Sequence, residues 1–95
     1  QLAPEIGGDA YYNLGVLLTN SGRMADAAAA YERAVVLDPT NAEAYYQMGI
    51  AYFGAANTIP DAIPAFEKYL ELAPDGPNAE AASGLLAAAQ ASAGQ

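Results

Sequence analysis

Large apolar residues return along this chain at helical spacing, in two rounds. Tyr11, Leu14 and Leu18 fall at i, i+3 and i+7, as do Tyr45, Met48 and Tyr52, so each set shares one face of a helix. Tyr31, Ala34 and Val35, and later Phe66, Tyr69 and Leu70, give i, i+3, i+4 stripes on two further helices. Turn-forming residues separate these stripes. Asn20-Ser21-Gly22 reads as a turn between helices, and Asp38-Pro39-Thr40-Asn41 as a stop before the next helix. Gly54-Ala55-Ala56-Asn57-Thr58-Ile59-Pro60 is loop-like. Pro77-Asn78-Ala79-Glu80 reads as the capped start of a last helix running to about Ser92, with Leu85 and Leu86 its only large apolar residues. The pattern is all-α, with five helices.

Two local features qualify this pattern. Gly15 and Gly49 lie beside the apolar faces, where a missing side chain lets a paired helix approach closely. A glycine inside a helix costs about 1 kcal/mol relative to alanine, so its place there needs such a reason. Pro60 suits a first helical turn, but Pro64 removes a backbone hydrogen bond further in. That predicts a late helix start or a bend.

The two rounds form one repeat. Asp9-Ala10-Tyr11-Tyr12-Asn13-Leu14-Gly15 is echoed 34 residues later by Glu43-Ala44-Tyr45-Tyr46-Gln47-Met48-Gly49. The segment Ala27–Pro39 is echoed by Ala62–Pro74 at an offset of 35, which places one extra residue between the helices of the second round.

These residues resemble the tetratricopeptide repeat family, whose units are 34 residues long. Tyr11, Leu14, Gly15, Ala27, Tyr31, Ala34 and Pro39 fill its characteristic places in the first unit. Tyr45, Met48, Gly49, Ala62, Phe66 and Pro74 fill them in the second. Tyr69 stands where a small residue is usual, so packing there is expected to be looser or reshaped. The resemblance implies an α-solenoid of two helix-turn-helix units and a capping helix. It divides the chain into a leader at 1–8, unit one at 9–41, unit two with its one-residue insertion at 42–76, and a capping helix with tail at 77–95. Leu2-Ala3-Pro4 repeats Leu72-Ala73-Pro74, so the leader is either the remnant of an upstream repeat or an unstructured segment of accidental similarity. Gln1 is not a start residue and no signal pattern follows it, which suggests an excised or processed chain.

Charge and composition narrow the function. Eleven acidic residues face three basic ones, Arg23, Arg33 and Lys68, for a net charge of −8. That balance disfavours phosphate backbones and anionic lipid, so neither nucleic acid nor membrane insertion is expected. The chain has no cysteine and no histidine, which removes thiol and imidazole chemistry. Asp26, Glu32, Asp61, Glu67 and Glu71 fall on the outer faces of second helices, and Glu32 and Glu67 share one repeat position. A repeated solvated surface accounts for them better than an acid–base pair, so no catalytic site, metal or cofactor is expected. The acidic, alanine-rich style resembles bacterial repeat proteins, some envelope-associated, and points to a soluble domain of cytoplasm or periplasm.

Binding is better supplied. By the same resemblance, the first helices line a concave groove. Its positions are Asp9, Tyr12, Asn13, Val16, Thr19 and Asn20 in unit one, and Glu43, Tyr46, Gln47, Ile50 and Phe53 in unit two. Ser83 and Ala87 are the candidates from the closing helix. Tyr12 and Tyr46 give large contact area with a polar tip, suited to an extended peptide or a helix. The competing reading has them packing between neighbouring first helices. The groove positions include no lysine or arginine, so a clamp for a C-terminal carboxylate is not expected; a basic or neutral apolar ligand suits the charge better. The leading expectation is a scaffold or adaptor that binds a protein or peptide, and the alternative is a homo-oligomerising segment, such as a homodimer.

Overall fold

The computed structural model describes residues 7–94. Five helices follow in order: α1 (Gly8–Asn20), α2 (Met24–Leu37), α3 (Ala42–Gly54), α4 (Ile59–Leu72) and α5 (Ala79–Ala93). Each helix packs chiefly on the next one in the chain, α1 on α2, α2 on α3, α3 on α4 and α4 on α5. The result is an all-α solenoid of two hairpins closed by a last helix. Residues 1–6 of the leader lie outside the described residues.

The repeated glycines set the pairing distance. A Cβ built at Gly15 would stand 2.5 Å from Cε1 of Tyr31, and one at Gly49 would stand 2.6 Å from Cε1 of Phe66. Each second-helix ring therefore rests on the bare backbone of its own unit's first helix. Tyr31 and Phe66 are fully buried there. Burying a ring of this size contributes roughly 1.5–3 kcal/mol, which outweighs the helix cost of the glycine.

Small residues fill the space around the rings. One buried cluster joins Ala27, Ala28 and Tyr31 of α2 to Met48 and Ala51 of α3 and Ala65 of α4. A second joins Ala62, Phe66 and Tyr69 of α4 to Ala82 and Ala89 of α5. Tyr45 and Tyr52 pack against both clusters and so bridge the hairpins.

Helix ends follow local chemistry. Asn41 caps α3, its side-chain oxygen accepting the Ala44 N–H at 3.1 Å. Asp38 organises the turn before it, taking the Thr40 hydroxyl at 2.8 Å. The turn between α3 and α4, residues 55–58, is one residue longer than its counterpart at 21–23. The Thr58 hydroxyl closes it by donating to the Tyr52 carbonyl at 2.6 Å.

Three expectations change. The late start for α4 does not occur: the helix begins at Ile59, takes Pro60 in its first turn and continues through Pro64. Both prolines are exposed, so solvent can meet the Pro60 carbonyl that Pro64 cannot serve. Asn78 occupies the cap position of α5 without a side-chain capping bond, and its side-chain N–H donates to Glu43 instead. Leu14, placed on a shared apolar face with Tyr11 and Leu18, is 43% exposed, and Leu17 is 64% exposed. Their repeat counterparts Met48 and Ala51 are buried against α2, whereas no described helix covers the same side of α1.

Candidate functional site

The first helices α1 and α3, with α5, carry the residues singled out for a groove. Asp9, Asn13 and Asn20 on α1 are exposed, while Tyr12, Val16 and Thr19 are half-buried. On α3, Glu43, Tyr46, Gln47, Ile50 and Phe53 are all half-buried, and Ser83 and Ala87 on α5 are exposed.

The two tyrosines are held by their own second helices. The Tyr12 ring lies 5.8 Å from that of Tyr31, tilted by 55°. Tyr46 lies 6.1 Å from Phe66 and 5.4 Å from Tyr69, again tilted. Tilted pairs at these separations are favourable aromatic geometry, so both rings have fixed positions with part of their surface open. Thr19 joins the first set, its hydroxyl 3.3 Å from the Tyr31 hydroxyl.

Glu43 lies where the three elements meet. Its Oε2 accepts the Gln47 side-chain amide at 3.0 Å, one turn along α3, and its Oε1 accepts the Asn78 side-chain amide at 2.9 Å from the start of α5. Burial pushes the phenols of Tyr12 and Tyr46 above the ordinary tyrosine value, and the nearby Glu43 charge raises both further. The carboxylate's charge is thus felt by one tyrosine from each unit. A carboxylate offers about four acceptor positions, and only two are filled. Among the described residues no cation pairs with it.

Tyr69 explains how α5 is seated beside this carboxylate. It is the large residue at a repeat place where a small one is usual, and it is fully buried. Its hydroxyl accepts the Asn78 backbone N–H at 3.0 Å, and a Cβ at Gly76 would come within 2.6 Å of that oxygen. The packing is reshaped around the extra ring. Asn78 is pinned twice, through its backbone by Tyr69 and through its side chain by Glu43. The asparagine type at 78 suggested a cap, and nothing in the local sequence pointed to a carboxylate 35 residues away.

The three basic residues all lie on the other layer. Arg23, at the start of α2, pairs with Asp26 at 2.6 Å, and Lys68 on α4 pairs with Glu71 at 3.4 Å. Arg33 on α2 lies 5.6 Å from the centre of the Tyr11 ring. The helices α1, α3 and α5 carry acidic residues at Asp9, Glu43 and Glu80 and no lysine or arginine. These three helices therefore carry acidic charge with no basic residue of their own.

Away from that face, a cleft of about 230 Å³ opens between α3 and α4, lined by Tyr45, Met48, Tyr52, Asp61, Pro64 and Ala65. Beside it the Tyr52 hydroxyl donates to the Glu32 carboxylate. Sequence patterning gave no sign of this cleft beyond the unusual Pro64. Among the described residues no group of three or more acidic, cysteine or histidine side chains is gathered as a metal site. No described helix is long and apolar enough to cross a membrane.

Comparison with known families gives two overlapping matches. A family model described as TPR repeat matches residues 17–55, and one described as tetratricopeptide repeat matches residues 43–76. No curated protein matches the chain.

Proposed function

Because the chain belongs to the tetratricopeptide repeat family, we propose that it is a scaffold or adaptor segment whose first-helix face takes up a peptide or helix from a protein partner. Repeats of this family generally mediate protein–protein interaction. The observation that carries the reading to a particular face is the first-helix surface that carries Tyr12, Glu43 and Tyr46. It spans both units, is held in place by Tyr31, Phe66, Tyr69 and Asn78, and remains half-open. Rigid tyrosines supply contact area at low entropic cost, the property that favours them at binding surfaces. With no histidine or cysteine and the second-helix carboxylates exposed, the chain is read as non-enzymatic.

A peptide-display screen on the folded chain, followed by amide chemical-shift mapping, tests this. Binders that shift resonances of α1, α3 and the start of α5 support the assignment. Binders confined to α2 and α4, or no binder while the helical circular dichroism is intact, overturn it.

One observation favours self-association as a second reading. Leu14 and Leu17 expose an apolar strip at positions whose repeat counterparts are buried. Such a strip is a candidate for burial against another copy. Sedimentation velocity over a wide concentration range decides it. A dimer weakened by Leu17→Glu supports this reading, and a monomer throughout removes it.

A further inference from the structure

We propose that the partner presents a cationic side chain, arginine ahead of lysine, which binds Glu43 on the first-helix face that also carries Tyr12 and Tyr46. This rests on the reading of the first-helix face as the docking surface. Charge complementarity carries it. The chain's cations all lie on or at the start of the second helices, two of them paired with a carboxylate and Arg33 near the Tyr11 ring. Glu43 is left as a half-buried carboxylate whose only described partners are two neutral amides, from Gln47 and Asn78.

Those amides orient both carboxylate oxygens without cancelling their charge, and each oxygen keeps an acceptor position. A guanidinium can use the two remaining positions as a fork and lay its plane on a tyrosine ring, which an ammonium does less well. Asp9 and Glu80 put the same sign of charge at the starts of α1 and α5, so a basic segment meets no like charge on these helices. An acidic segment is disfavoured throughout. The phenols of Tyr12 and Tyr46 stay neutral at physiological pH, so they offer rings and hydroxyls without adding charge.

The test uses short blocked peptides of alanine, leucine and glutamine that differ only at one central residue: arginine, lysine, glutamine or glutamate. Binding is measured by titration calorimetry at low and high salt, and the contact surface is mapped by amide chemical shifts. The arginine peptide is expected to bind most tightly, to weaken with salt, and to shift α1 and α3 resonances. Glu43→Gln removes the charge, keeps one acceptor oxygen and so one of the two amide contacts, and is expected to weaken the arginine peptide roughly tenfold while leaving the glutamine peptide unchanged. Asn13→Lys, at an exposed position on α1, is expected to weaken the arginine peptide selectively by repulsion, and it serves if the Glu43 variant is misfolded. Arginine and glutamine peptides that bind this face equally, or an arginine advantage untouched by either variant, overturn the cation site and leave the docking surface standing. If no peptide of any charge perturbs α1, α3 or α5, the docking surface falls as well.

Discussion

Phe66 rests on the backbone of Gly49 so closely that a Cβ there would stand 2.6 Å from Cε1 of the ring. Helix propensity alone favours alanine over glycine by about 1 kcal/mol. Here the sign reverses, because the ring is fully buried and has no room to withdraw. Gly49→Ala is expected to destabilise the chain by roughly 1–3 kcal/mol, read as a lower urea midpoint. Gly15→Ala, facing Tyr31 in the same way, is expected to match it.

Asn41 is the one helix start with a side-chain cap among the five. Asn41→Ala removes the acceptor of the Ala44 N–H and is expected to cost about 1 kcal/mol, again read from denaturant unfolding. Asn78→Ala tests a different bond. It frees Glu43 Oε1 without removing a cap, so its effect is expected in the protection of α5 amides against hydrogen exchange.

Tyr69→Phe removes the acceptor of the Asn78 backbone N–H and keeps the ring that supports Tyr46. The loss is expected to be about 1 kcal/mol, concentrated at the junction of α4 and α5. Faster exchange confined to α5, with α1 to α3 unchanged, is the expected signature. Uniformly faster exchange would show that the closing helix is not separately anchored.

Burial pushes the phenols of Tyr12, Tyr31, Tyr46 and Tyr52 above the ordinary tyrosine value, and at Tyr52 the bond to Glu32 adds to the rise. A phenol whose folded pKa exceeds its unfolded one favours the folded state while neutral. That stability is fully present below about pH 10 and is lost as pH climbs through the folded value. Alkaline titration followed by tyrosinate absorbance is therefore expected to show a late group among the seven tyrosines. Their ionisation is expected to coincide with loss of helical circular dichroism, with no dependence on pH near neutrality from these groups.

Pro64 removes one hydrogen bond from the first half of α4. Pro64→Ala restores an N–H facing the Pro60 carbonyl and is expected to stabilise by about 1–2 kcal/mol, raising Tm by several degrees. An unchanged or lower Tm would mean that its packing in the α3–α4 cleft outweighs the missing bond.

The repeat made the helices legible because its units are stretches in which each residue's environment follows from local spacing. Tyr31 and Phe66 fall at one repeat place and are buried in the same way, and Gly15 and Gly49 admit them as their positions implied. The departures are places where the neighbour decides. Leu14 and Met48 occupy the same repeat position, yet only Met48 has a second helix against it. Asn78 looks like a cap because asparagine at a helix start usually is one, and only the fold brings Glu43 within reach of its amide. The candidate groove residues were legible as positions; the hydrogen bonds that orient Glu43 were not, because one of them spans more than a full repeat in sequence.

The order of packing carries a consequence for how the chain reaches this state. Each helix meets chiefly its predecessor and its successor, so the segments that must find one another are never far apart along the chain. Closing such short loops costs little entropy, and proteins built from local contacts assemble in microseconds to milliseconds. During synthesis each helix can dock on one already exposed from the ribosome, with α5 arriving last to cover Phe66 and Tyr69. Until it does, the side of these two rings that α5 covers is left open to mispairing.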